Sequence, residues 1–147
     1  MSLKERISED MKAAMRAKEA ERLGTIRMLQ AAIKQREVDE RITLDDTQVL
    51  SVLEKMVKTR REAMEQFRAG GREDLVEKEA REVTQLQAYL PEQLSPADLD
   101  ALIAAAINST GATTIKDMGK VMGVVKQQAA GRADMGAVSA AIKAKLG

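Results

Sequence analysis

The sequence predicts an all-α protein in two parts, an N-terminal helical hairpin domain over residues 1–90 and a small C-terminal three-helix domain over residues 91–147. Three observations carry this. Ala, Glu, Lys, Arg, Leu and Met dominate the 147 residues, and alternating β-branched runs are few. Apolar residues recur at intervals of three and four along most of the chain, the spacing of one helix face. Both prolines fall in the single stretch Tyr89-Leu90-Pro91-Glu92-Gln93-Leu94-Ser95-Pro96, which an uninterrupted helix cannot cross.

Taken in order, Leu3, Ile7, Met11 and Ala14 share one face of a helix expected from Leu3 to Leu23, with Ser2 and Glu5 at capping-box spacing before it. Gly24-Thr25 interrupts this pattern, as a turn or as a glycine tolerated in a longer helix. Thr25 is placed to cap a second segment carrying Ile26, Leu29 and Ile33. Val38 to Ile42 is expected to be a loop, after which Thr43 and Asp46 repeat the capping spacing. The long helix that follows carries Val49, Val52, Leu53, Met56, Val57, Ala63, Met64 and Phe67 inward and stops at Gly70-Gly71. A further helix from about Glu73 to Tyr89 buries Val76, Ala80, Val83, Leu86 and Leu90, and a short glycine turn sets the pair antiparallel.

Beyond Pro91, Ser95 is an N-cap with Pro96 at the first helical position and Asp98 completing the box. That helix, expected over 96–108, buries Leu99, Leu102, Ile103, Ala106 and Ile107. Gly111 ends it, and Thr114 with Asp117 opens the next. Gly131 ends that one, and Asp134 caps a last helix with Val138, Ile142 and Leu146.

Composition narrows the function. Cysteine and histidine are absent, which removes disulfides, thiol nucleophiles, Cys/His zinc sites and the usual neutral-pH general base. Charged residues make up 32% and nearly cancel at net +1, so any nucleic-acid surface is a local patch. Phe67 and Tyr89 are the only aromatics, too few for a base-stacking platform. No cofactor, metal or membrane span is expected. The N-terminus lacks an apolar leader region, so a cytoplasmic location is expected.

The segment Thr114 to Lys126 stands out. Ile115, Met118, Val121, Met122, Val125 and Ala129 fall on one arc that wants a core. The other side carries Gly119 and Gly123 one turn apart, bordered by Lys116, Lys120 and Lys126. Each glycine costs a helix interior about 1 kcal/mol against alanine. Either a neighbouring helix of the same chain packs there and the lysines are solvated charges, or a phosphate backbone or partner helix lies on the strip.

Leu90-Pro91-Glu92-Gln93-Leu94, the run Ile115-Lys116-Asp117-Met118-Gly119-Lys120-Val121-Met122-Gly123, and Gly131-Arg132-Ala133-Asp134 with its terminal helix together resemble the GatB/YqeY family, most closely its stand-alone YqeY-like members. The resemblance covers the whole chain. It implies an all-helical two-domain fold whose tail is similar to the tail domain of the tRNA-dependent amidotransferase B subunit. It further implies contact with tRNA and a link to carbon–nitrogen ligation with glutamine as amide donor. The kinase-like catalytic body of that subunit, with its ATP and magnesium site, has no counterpart here, so no catalytic residue is assigned. Carried over by position, Lys116, Gly119, Lys120, Gly123, Lys126 and Arg132 form the RNA-facing set, with Gly131 a helix stop. tRNA is the expected partner, with a protein helix as the alternative and no preference for DNA.

Overall fold

The computed structural model describes residues 1–147 and is built from seven helices. They are α1 (Leu3–Arg16), α2 (Ala20–Glu40), α3 (Asp46–Ala69), α4 (Glu73–Gln87), α5 (Pro96–Thr110), α6 (Met118–Ala129) and α7 (Met135–Leu146), with a 3-10 turn at Ile115–Asp117 before α6. The chain divides into two compact units, Met1–Pro91 and Glu92–Gly147.

In the first unit, α1 begins as its capping residues require. Ser2 Oγ accepts the Glu5 N–H at 3.1 Å and Glu5 reaches back to the Ser2 N–H at 3.4 Å. The end of α1 differs from expectation. It stops at Arg16, and Lys18 takes a left-handed conformation at φ 58°. Gly24 and Thr25 are inside α2, where Thr25 is buried and its hydroxyl donates to the Glu21 carbonyl at 3.2 Å. The glycine is therefore tolerated, and Thr25 serves the helix interior instead of its start. The expected loop at Val38–Ile42 is also displaced, because α2 continues to Glu40 and turns at a left-handed Arg41 (φ 55°). Asp45 caps α3, accepting the Gln48 N–H at 2.9 Å, where Thr43 was expected. Asp46 instead accepts the Leu3 N–H at 2.9 Å, which fastens the start of α1 to the start of α3. Glu37 holds the loop in the same way: it takes Lys4 Nζ at 2.6 Å and the Leu44 N–H at 2.8 Å. Those two donors hold its carboxyl below the ordinary value.

The core of this unit is aliphatic. Ile7, Leu29, Val49, Leu53 and Leu86 are essentially sealed from solvent. Helices α3 and α4 turn about Gly71, whose φ of 72° only glycine adopts without strain. Arg60 on α3 meets Glu82 at 3.0 Å and Glu79 at 4.0 Å on α4, residues at similar distance from the glycine turn, which is the register of an antiparallel hairpin.

The second unit has its own core, made of Ile103 and Ala106 from α5, Val121, Val125 and Ala129 from α6, and Val138 and Ile142 from α7. Ser95 Oγ accepts the Asp98 N–H at 3.1 Å with Pro96 at the first helical position, and Gly111 at φ 67° closes α5. Asp134 caps α7 by accepting the Gly136 N–H at 3.4 Å.

Candidate functional site

The approach to α6 is set by one carboxylate. Asp117 Oδ2 accepts the N–H groups of Thr113 at 3.0 Å and Thr114 at 3.3 Å, satisfying backbone donors that a helix start leaves open. These two bonds, with a smaller contribution from Lys120, hold the Asp117 carboxyl below its ordinary value, so it stays charged at neutral pH. Residues 115–117 wind as a 3-10 turn before the α-helix begins at Met118. This rotates Ile115 off the arc where it was expected. It is 45% exposed, not core.

From Met118 onward the expected division of faces holds. Val121, Val125 and Ala129 are fully buried against α5 and α7. Gly119 and Gly123 are exposed, as are Lys120 and Lys126, and Lys116 stands exposed one turn earlier. A Cβ added at Gly119 or Gly123 would meet no atom of the chain within 4 Å. Within the second unit the strip is therefore bare backbone. None of Lys116, Lys120 and Lys126 forms an ion pair. Three ammonium groups outside any close ion pair, with the Asp117 carboxylate offsetting part of the charge near Lys120, and an exposed run of helix backbone make a short, net cationic surface on which a polyanion can approach closely.

Arg132 has a different position. Gly131 ends α6 in the left-handed region at φ 75° and is itself buried. Its carbonyl accepts Gln93 Nε2 at 2.7 Å, Arg132 Nε donates to the Glu92 carbonyl at 3.1 Å, and the Leu94 N–H donates to the Arg132 carbonyl at 2.8 Å. The two short motifs Pro91-Glu92-Gln93-Leu94 and Gly131-Arg132 thus close on each other. Sequence reasoning placed Arg132 with the lysines and left Gln93 unassigned; nothing in a single sequence pairs segments so far apart. Arg132 is a fastener of the second unit, so Arg132→Ala should destabilise that unit by about 1 kcal/mol, the worth of one hydrogen bond. The surface substitutions Lys116→Ala and Lys120→Ala should stay within roughly 0.5 kcal/mol. Urea denaturation of the three variants separates the two roles.

The chain matches the family model described as Yqey-like protein over residues 4–146. Among curated proteins it is similar to "Altered inheritance of mitochondria protein 41, mitochondrial" of Pyrenophora tritici-repentis, at 34% identity over 130 residues, 87% of this chain and 71% of the relative. The protein of the same name from Eremothecium gossypii is 41% identical over 85 residues, covering 57% of this chain and 46% of the relative. That of Kluyveromyces lactis is 38% identical over 84 residues, 56% and 45% respectively. The match spans about half the length of these last two relatives. All three carry mitochondrial names, and this overturns the expected cytoplasmic location. That expectation rested on a missing apolar leader and on the lack of a helix long and apolar enough to cross a membrane. Neither separates a mitochondrial interior from the cytoplasm, because mitochondrial targeting uses amphipathic, arginine-rich segments without an apolar run. With 143 of the 147 residues inside the family model, the chain belongs to the Yqey-like family.

Proposed function

We propose that this chain is a YqeY-like accessory protein whose second unit binds tRNA through its phosphate backbone, related in that role to the tail domain of the tRNA-dependent amidotransferase. The observation that carries it is the open glycine strip of α6 with its three unpaired lysines. Helical RNA is met mostly through phosphates and 2′-hydroxyls, and splayed bases are read by aromatic stacking. The strip offers cations and exposed backbone, and the only two aromatic residues lie in the other unit. Recognition is therefore of shape and charge.

The test is a salt titration of tRNA binding by the full chain. Affinity should fall steeply with salt. Replacing Lys116, Lys120 and Lys126 together with alanine should weaken it and reduce the logarithmic salt slope by about 2–3, roughly one for each phosphate left without its lysine. Equal binding to heparin, with no change in the triple variant, overturns the proposal. A salt-tolerant protein complex that is abolished in Gly123→Leu would assign the strip to a partner helix instead.

A further inference from the structure

Apolar residues stand on both sides of α2. Ile26, Leu29 and Ile33 are buried in the core of the first unit, yet Met28 is 47% exposed and Val38 60%, with Ala31 exposed between them. At about 100° per residue, Gly24, Met28, Ala31, Gln35 and Val38 fall in one outward row, at the alternating four- and three-residue spacing of a helix–helix seam. A Cβ added at Gly24 would meet no atom within 4 Å, so the row is open at that end. Single exposed apolar side chains are ordinary; a row in heptad register that borders a groove is not. Here the groove lies between α2 and α3, a recess of about 630 Å³. Its floor is the half-buried Ala32 and Met56 with the buried Val52, and Gln35 belongs to row and recess alike. Row and recess make one strip roughly 15 Å long, the rise of ten helical residues.

The charges along the strip say what covers it. Arg27 and Lys34, two turns apart, border the row on α2, and Lys55 lines the recess from α3. All three are exposed and none forms an ion pair. The nearby carboxylates are mostly committed: Glu37 takes Lys4 Nζ and the Leu44 N–H, and Glu40 pairs with Arg36. Asp39 has no cation on it and accepts the Gln35 amide at 2.9 Å. The strip is therefore apolar along its middle and net positive at its edges. A phosphate backbone would be laid against Met28 and Val38, whereas on α6 the cations border bare backbone. A flat anionic membrane does not enter a groove, and the row lacks the Trp, Phe and Leu of an interfacial helix. A second copy would bring its own Arg27 and Lys34 to the same seam. A groove between two helices does accept a third, and methionines such as Met28 and Met56 adapt to what packs on them. We propose that this strip docks an acidic amphipathic helix of a partner protein, its apolar residues at i, i+3, i+4 and i+7 on Met28, Ala31, Val38 and the groove, its carboxylates facing Arg27, Lys34 and Lys55. The proposal is independent of the tRNA reading, which concerns the other unit.

The test titrates the full chain into a fluorescein-labelled synthetic helix of about 18 residues, five turns, with Leu at the i, i+3, i+4 and i+7 positions and Glu along both edges. A second peptide carries Lys in place of every Glu. By fluorescence anisotropy the Glu peptide should saturate below roughly 100 μM, and the Lys peptide should bind at least about tenfold more weakly. Amide chemical shifts should move on α2 from Gly24 to Val38 and on α3 from Ser51 to Thr59. Arg27→Glu combined with Lys34→Glu should reverse the preference between the peptides without lowering the melting temperature, since both side chains are exposed and unpaired. Met28→Ser combined with Val38→Ser should weaken the Glu peptide at least about fivefold, which attachment by charge alone would not show. No saturation by the Glu peptide at about 1 mM, equal binding of the two peptides, or an unchanged preference in the reversed variant overturns the proposal. So does dimerisation of the chain that Val38→Asp abolishes, which assigns the strip to a second copy. Flotation with phosphatidylglycerol vesicles that is lost in the double serine variant, with no peptide binding, overturns it in favour of a membrane surface.

Discussion

Arg60→Ala should destabilise the first unit by about 3–5 kcal/mol, the loss expected when one partner is removed from a buried charge cluster. Arg60 is 9% exposed in the middle of α3. Its Nε donates to Glu82 Oε2 at 3.0 Å, its Nη1 to the Met56 carbonyl at 3.4 Å, and Glu79 stands 4.0 Å away. Truncation leaves two carboxylates facing each other with no cation between them. The existing balance is already tense, because burial and then the charge of Glu82 raise the Glu79 carboxyl above its ordinary value despite Arg60. The sign of the pH dependence follows. A raised folded-state pKa contributes stability that is fully present below the unfolded value and is lost as pH rises through the folded one. Removing Arg60 raises that folded pKa further, so the deficit of Arg60→Ala should be largest at neutral pH and shrink in mild acid. Adding Glu79→Gln and Glu82→Gln to the variant should recover part of the loss at pH 7. Urea denaturation at several pH values decides it, and a cost below roughly 1 kcal/mol that does not vary with pH contradicts the account.

Gly119→Ala combined with Gly123→Ala should have the opposite effect and stabilise the second unit. Each position is inside α6, exposed, with no atom of the chain within 4 Å of a new Cβ. The substitutions therefore gain the helix-propensity difference without a clash to offset it, about 1 kcal/mol at Gly123 in the helix interior and less at Gly119, the second residue of α6. In a unit this small the gain should appear as a rise in melting temperature on the order of 10 °C. A fall in melting temperature would mean that the glycines serve close packing within the chain. A rise means that the native glycines hold the unit below its attainable stability. If the strip receives tRNA as proposed, the gain should come with weaker tRNA binding, because two methyl groups would then hold a phosphate off the backbone.

The helical architecture was legible because it is written locally. Apolar spacing, Ser2, Ser95 and Asp134 as caps, and Gly71, Gly111 and Gly131 as stops each act within a few residues of where they stand. Boundaries failed where the chain turned without its usual residues. Lys18 and Arg41 enter the left-handed region with full side chains, while Gly24, which looks like a break, stays helical because α2 is held by its buried face. Thr43 lost the capping role to Asp45, two residues on, since either oxygen suits that role and only the tertiary position of α3 chooses between them.

The candidate site was legible in part for the same reason. The glycine and lysine faces of α6 follow from helical spacing alone, but Ile115 was misplaced because a 3-10 turn changes the angle per residue. Arg132 was carried into the RNA-facing set by its place in the family motif, and its bond to the Glu92 carbonyl, which joins segments forty residues apart, could not be read from that motif. The hydroxyl bond from Tyr89 to Asp10 is likewise nonlocal, and although helical spacing puts Arg60 in the middle of the apolar stripe of α3, the Glu79 and Glu82 carboxylates that allow a guanidinium to be buried there come from α4.

The most direct measurement is a two-dimensional amide NMR titration of the full chain with unfractionated tRNA at low salt. The backbone N–H signals of Gly119, Lys120 and Gly123 should move or broaden first, followed by those of Lys116 and Lys126, with α1 to α4 unaffected at the same ratio. Perturbation confined to residues 1–91, or none on α6 at saturating tRNA, would contradict the assignment of the glycine strip as the place where the phosphate backbone lies.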